Sequence, residues 1–136
     1  MPSDQTMAAM RRLAGQVHDE LLLAGLPSAV GQHPLVAQGV VVELDIIDDG
    51  DPGVGAHWRP HPSLANAATR AAAARDEADG TMRRLGEVDR AMLPAIAALL
   101  TTAGFSLDTS DEDWIRTAVR VVAAPADGGT VRLLAG

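Results

Sequence analysis

The segment that most constrains the fold is the β-branched run at 39–47, Gly-Val-Val-Val-Glu-Leu-Asp-Ile-Ile. Apolar residues occupy every second position on one side of this run, which is the pattern of a half-buried strand. A turn sequence rich in Asp, Gly and Pro follows it, and residues 54–61 can return as a second strand. The sequence therefore predicts a β-hairpin.

Matching the apolar faces of the two strands predicts how they pair, because a cross-strand pair places both side chains on one face. The predicted register contains two apolar pairs and two polar pairs: Leu44 with Trp58, Ile46 with Ala56, Glu43 with Arg59, and Asp45 with His57.

Three segments have the apolar spacing of helices, at intervals of three and four residues. The first is 4–24, capped by Ser3 and ended by Gly25, and a loop is predicted at 27–38. The second is an alanine-rich helix at 63–79, capped by Ser63 and ended by Gly80.

The third helix, 81–103, is the predicted core helix, with Thr81 as its candidate cap and Pro94 expected to kink or break it. Its predicted buried stripe is Met82, Leu85, Val88, Met92, Ile96, Leu99 and Ala103.

The C-terminal part predicts a second hairpin, with strands at 114–124 and 130–134 around a Pro-Ala-Asp-Gly-Gly turn. The order α-ββ-α-α-ββ favours a single α+β domain over 1–136. Its two hairpins would form a mainly antiparallel four-stranded sheet covered by helices on one face. The shared order of elements also raises the hypothesis of an αββ duplication, 4–61 and 81–136.

Charge and composition narrow the classes of function. Eighteen acidic residues against 11 basic ones give a formal net charge of −7, which repels nucleic acids and anionic membrane surfaces. No apolar run approaches the ~20 residues that span a bilayer, so we expect a cytoplasmic protein. Cysteine is absent, which excludes thiolate catalysis and Cys-type zinc sites.

The densest polar cluster lies on the first hairpin: Glu43, Asp45, His57, Trp58, Arg59 and His61. A histidine beside a carboxylate can act as a base, although ordinary cross-strand pairs on a solvated face have the same composition. His57 and His61 lie roughly 13 Å apart if both are on a strand, so they would not share a metal ion. We predict no metal and no cofactor.

The second hairpin supplies further candidate binding residues: Trp114, Arg116, Arg120 and Arg132. Arginines on one strand face suit an anionic ligand or an acidic partner, and also simply keep an exposed face soluble. Trp58 is expected to be buried against the helices and Trp114 to be partly exposed, as tryptophans at binding surfaces are.

Two functional hypotheses follow. The first is a non-enzymatic protein that binds a protein partner or a second copy of itself, as an accessory, immunity or chaperone-like module. The alternative is a small enzyme or ligand-binding domain with a pocket around His57, Arg59, Glu43 and Asp45. The absence of any strong catalytic spacing favours the first.

Overall fold

A computed structural model describes residues 3–31, 38–45, 53–76, 78–115 and 117–126. Within these residues the elements are α1 (Asp4–Leu23), β1 (Ser28–Val30), β2 (Gly39–Asp45), β3 (Gly53–Arg59), α2 (Pro62–Ala73), α3 (Thr81–Thr102), β4 (Ser106–Leu107) and β5 (Val119–Ala123). The strands form one sheet in the order β1-β2-β3-β5-β4, in which only β1 and β2 run parallel. The α+β class is confirmed, with five strands in place of four.

The first helix is bounded by the two residues that the sequence indicated. The Thr6 N–H donates to Ser3 Oγ at 3.1 Å, which satisfies one of the free donors of the first turn. Gly25 has φ +94°, and the Leu26 N–H donates to the Leu21 carbonyl at 3.0 Å. This is the hydrogen-bond pattern of a left-handed helix ending.

The predicted loop at 27–38 contains a strand. Residues of β1 pair in parallel with β2, Ser28 opposite Val40 and Val30 opposite Val42. Three residues are too few for alternation to be visible in a sequence, so the prediction of an unbroken loop was wrong here. The part of that loop at 32–37 lies outside the described residues.

The first hairpin is confirmed, but its register was wrong by four residues. The apolar pairs are Val40 with Trp58, Val42 with Ala56, and Leu44 with Val54. A shift of four keeps every side chain on its face because the side-chain period is two, so the apolar pattern does not distinguish the two registers. Ile46 lies outside the described residues.

The second helix is shorter than predicted and has a different cap. It ends at Ala73 rather than at 79, and its N-cap is His61, whose Nδ1 accepts the Ser63 N–H at 3.1 Å. Arg75 follows with φ +54°, the left-handed conformation that usually belongs to glycine.

The core helix α3 runs without a break through Pro94, which is exposed. Gly80, rather than Thr81, is its N-cap. Its buried residues are Leu93, Ile96, Ala97 and Leu100. The predicted stripe was therefore wrong in part: Met82 and Leu99 are 55% and 37% exposed.

The predicted strand at 114–124 begins later, at Val119. Residues 112–115 form turns, and the Trp114 N–H donates to the Asp111 carbonyl at 3.2 Å. Strand β5 lies between β3 and β4, so both of its edges are paired. The predicted return strand at 130–134 lies outside the described residues.

The hydrophobic core lies between the helices and one face of the sheet. Helix α1 packs on β1, β2 and β3, and α3 packs on β3, β4 and β5. The largest fully buried side chains include Val17, Leu21, Ile96 and Leu100 from the helices and Val40, Val42, Val54, Val119 and Val121 from the strands. No helix among the described residues combines the length and apolar character needed to span a bilayer.

Candidate functional site

The face of the sheet opposite α1 and α3 carries an open groove of about 630 Å³. One side is formed by residues of β2, β3 and β5 that alternate with the buried valines. The other side is formed by loop residues: Asp108, Ser110, Asp111, Asp113, Trp114, Thr117 and Ala118. Its carboxylates are Glu43, Asp45, Asp108, Asp111 and Asp113. They outnumber the cations, so we call this site the acidic groove.

Arg120 spans the acidic groove from β5 to β2. Its Nε donates to Asp45 Oδ2 at 2.8 Å, and its Nη1 donates to Asp108 Oδ2 at 2.8 Å. Burial lowers the pKa of Arg120, but the hydrogen bonds to the two carboxylates outweigh burial and raise the pKa above its ordinary value. The guanidinium is therefore held by the protein's own carboxylates.

Glycines on β3 make room for this crossing, since β3 separates β5 from β2. Arg120 lies opposite Gly55, and Asp45 lies opposite Gly53. A Cβ at Gly53 would be 3.2 Å from Arg120 Nε. Glycine inside a strand often marks such a close approach, so Gly53 and Gly55 are a signal of this crossing in the sequence itself.

Asp108 holds the loop side of the acidic groove against the sheet. Its Oδ1 accepts the Ser110 N–H at 3.1 Å and the Ser110 hydroxyl at 2.6 Å, and its own N–H donates to the Arg120 carbonyl at 2.9 Å. The hydrogen bonds from Ser110, followed by that from Arg120, lower the pKa of Asp108.

Glu43 and His57 lie together on the sheet side. His57 Nε2 is 3.8 Å from Glu43 Oε1, close enough for charge attraction but too far for a hydrogen bond. Glu43 Oε1 is buried and, within the described residues, has no hydrogen-bond partner. On α3, burial raises the pKa of Asp89, and the charge of His57 lowers it by a smaller amount.

The structure brings together some of the predicted site residues and separates others. Glu43, Asp45, His57, Trp114 and Arg120 all line the acidic groove. The predicted polar pairs, Glu43 with Arg59 and Asp45 with His57, were wrong. The shifted register places Glu43 opposite Gly55 and Asp45 opposite Gly53.

The other predicted residues lie elsewhere. Arg59 is opposite Gly39 at the far end of the hairpin, and His61 caps α2. Trp58 packs half-buried against the core. Arg116 and Arg132 fall outside the residues that the structure describes.

The aspartates of the loop side, Asp108, Asp111 and Asp113, were not among the predicted site residues. Only the pairing of β5 with β3, and the reach of Arg120 over β3, brings this loop beside Glu43 and Asp45. Such a contact depends on tertiary structure and has no local signal.

The chemistry available here is charge recognition. Three histidine or carboxylate side chains arranged to hold a metal ion are not found among the described residues. The carboxylates can accept hydrogen bonds from a cationic group, and the indole of Trp114 offers an apolar surface beside them.

No protein-family model, no curated protein and no solved structure matches the chain. Any assignment of function therefore depends on the geometry and the charges described above.

Proposed function

We propose that the protein is a non-enzymatic binding module that docks a protein partner in the acidic groove. One observation carries this proposal: α1 and α3 cover one face of the sheet, whereas the other face bears an open groove of about 630 Å³ lined by polar groups and Trp114. An open groove of this size can accommodate several side chains of a partner.

The arrangement of Trp114 supports a protein partner. Its side chain is half-buried and packs against the core, so the indole is held in place before a partner arrives. Around it, Ser110, Asp111 and Thr117 are exposed. A fixed aromatic residue with a polar rim is the usual arrangement of a protein interface.

The negative charge of the acidic groove also favours one class of partner. Its carboxylates would repel phosphates, which supports a protein rather than a nucleic acid. An accessory, immunity or chaperone-like role in the cytoplasm is compatible with such a module.

Self-association remains part of the proposal. Leu22, Leu23 and Val30 are each close to half exposed near the β1 edge of the sheet. If a second copy covers them, light scattering after size exclusion will show a dimer mass that Leu23→Glu reduces to that of a monomer. A monomer mass at high micromolar wild-type protein would contradict self-association.

A steric variant tests whether the groove is the docking site. Thr117 is exposed and lines the acidic groove, so Thr117→Trp should fill it without changing the charge. We expect partner capture from cells that produce the protein to be lost in this variant. Thr101→Trp, at an exposed position of α3, is the matched control and should retain the partner. Capture by both variants would refute the proposed site.

The pairing of His57 with Glu43 favours one alternative, a small enzyme or a ligand-binding domain. Both side chains line the acidic groove and are 30% and 31% exposed. An imidazole beside a carboxylate therefore faces the space that a small ligand would occupy. On this alternative His57→Ala removes ligand binding or turnover. Retention of either activity in that variant would argue against it.

A further inference from the structure

We infer that Arg120 is a positioning residue for docking, which holds the acidic groove in its open shape before a partner arrives. This inference rests on the proposed function, because it assigns the residue that prepares that site. Arg120 acts through the loop side of the groove, which its side chain ties to the sheet side across β3.

The bridge made by Arg120 joins the two sides of the groove. Its Nε donates to Asp45 on the sheet side and its Nη1 donates to Asp108 on the loop side, each at 2.8 Å. A guanidinium is planar, and its donors form a rigid fork. Two hydrogen bonds from one such group therefore set the distance between the two carboxylates, and with it the width of the groove at this point.

Hydrogen bonds carry this constraint along the loop side. Asp108 Oδ1 accepts from the N–H and the hydroxyl of Ser110, at 3.1 and 2.6 Å. Further along, Asp111 Oδ1 accepts the Asp113 N–H at 3.1 Å, and the Asp111 carbonyl accepts the Trp114 N–H at 3.2 Å. The loop side is therefore a series of hydrogen-bonded turns that begins at Asp108.

Neither burial nor sheet pairing holds the middle of the loop side. Strand β4 ends at Leu107, residues 109–113 are all exposed, and packing against the core begins again only at Trp114 and Ile115. The hydrogen bonds of Asp108 to Arg120 are the restraint that the structure places between these points. A free segment of this length would lose conformational entropy on binding and so weaken docking.

Arg120→Met tests the inference, because methionine is also a long, unbranched side chain but carries neither the charge nor the donors. In NMR relaxation on the full chain, we expect the backbone order parameters of residues 109–113 to fall from about 0.85 to below about 0.6. In a Trp58→Phe background, the fluorescence emission of Trp114 should stay unchanged, because its indole is held by packing against the core.

Two further variants separate positioning from the effect of charge alone. Arg120→Lys retains the charge but lacks the planar fork, so it should restore the order parameters only in part. Asp108→Ala breaks the bridge from its other end, so it should reproduce the effect of Arg120→Met, and the double variant should add little. Arg83→Met is the matched control, because Arg83 pairs with Glu87 on α3, outside the groove, and it should leave residues 109–113 ordered.

Order parameters for residues 109–113 that stay at the wild-type value in Arg120→Met would overturn the inference. It is also overturned if the emission of Trp114 shifts to that of the unfolded chain in both Arg120→Met and Asp108→Ala, because the bridge would then hold the core rather than the loop side.

Failure of this inference is distinguishable from failure of the proposed function, because the order parameters are measured without a partner. If Thr117→Trp still captures the partner, the groove is not the docking site, whatever Arg120→Met does to the loop side. If Thr117→Trp loses the partner, we expect Arg120→Met to retain about tenfold less of it than the wild type. Capture by Arg120→Met at the wild-type level would then show that docking does not need Arg120.

Discussion

Gly39 shows how one residue can fix the junction of two strands. It has φ +103°, and a Cβ at this position would lie 2.5 Å from the Pro27 carbonyl oxygen. That oxygen accepts the Val40 N–H at 2.8 Å, where β2 meets the chain entering β1. Gly39→Ala should therefore destabilise the protein by about 3 kcal/mol, measured by urea denaturation.

Gly15 is the matched control for that substitution. It lies inside α1, where an added Cβ meets nothing within 4 Å. Gly15→Ala should stabilise the protein by about 0.5–1 kcal/mol, since alanine loses less conformational entropy in a helix. Effects of the same sign and size at both positions would contradict the role given to Gly39.

Asp108 makes stability dependent on pH. Its pKa in the folded protein is lowered from 3.8 by Ser110 and Arg120, so its stabilising effect is present above that value and is lost as the pH falls through the folded-state pKa. Asp108→Asn should be less stable than the wild type at pH 7, and the difference should narrow in urea denaturation at pH 3.

Ser110→Ala should reproduce part of the effect of Asp108→Asn at pH 7, because it removes the hydroxyl hydrogen bond to Asp108. If the difference in the free energy of unfolding between the wild type and Asp108→Asn stays constant from pH 7 to pH 3, the carboxylate of Asp108 is not responsible for that difference.

At the scale of the elements, the ends of a helix were predictable from the sequence, whereas the register between strands was not. Ser3 and Gly25 bound α1 because capping depends on a few adjacent residues. The sequence also placed Glu43, Asp45 and His57 on one strand face, because alternation alone decides that. Their neighbours depend on the register and on β5, which alternation leaves open.

The buried residues of α3 were also predicted only in part, because its buried face depends on how the helix packs. The sequence offers large apolar residues on more than one side of this helix, so spacing alone does not select the buried face. In the structure α3 also packs against α2, which buries only Ala68 and Ala71. Leu93, Ile96 and Leu100 supply the contact with the core instead.

The end of α2 provides a test at this scale. Arg75 has φ +54°, and its N–H donates to the Ala72 carbonyl at 3.1 Å, so it occupies the position that glycine favours after a helix. Arg75→Gly should raise the free energy of unfolding by about 0.5–1 kcal/mol. Ala74→Gly, with φ −82°, should lower it. A loss of stability in Arg75→Gly would contradict this assignment.

At the scale of the whole molecule, one hydrophobic core cluster of the described residues links α1, α3 and the sheet. The single domain over 1–136 stays a prediction, as does the αββ duplication of 4–61 and 81–136. If the chain folds as one unit, Trp58→Phe and Trp114→Phe variants will each show one fluorescence transition in urea that coincides with their loss of helical circular dichroism. Distinct midpoints within either variant would indicate separate folding units.

The bridge from Arg120 to Asp45 has a consequence for how the chain selects one alignment of its strands. Sliding β2 by two or four residues preserves its hydrophobic side, but it would move Asp45 by roughly 7 or 13 Å from its arginine. Loss of the ion pair between Arg120 and Asp45 therefore disfavours arrangements that hydrophobicity alone would leave nearly equal in energy. A polar contact on the groove side thus supplies the positional information that the repeating valines lack.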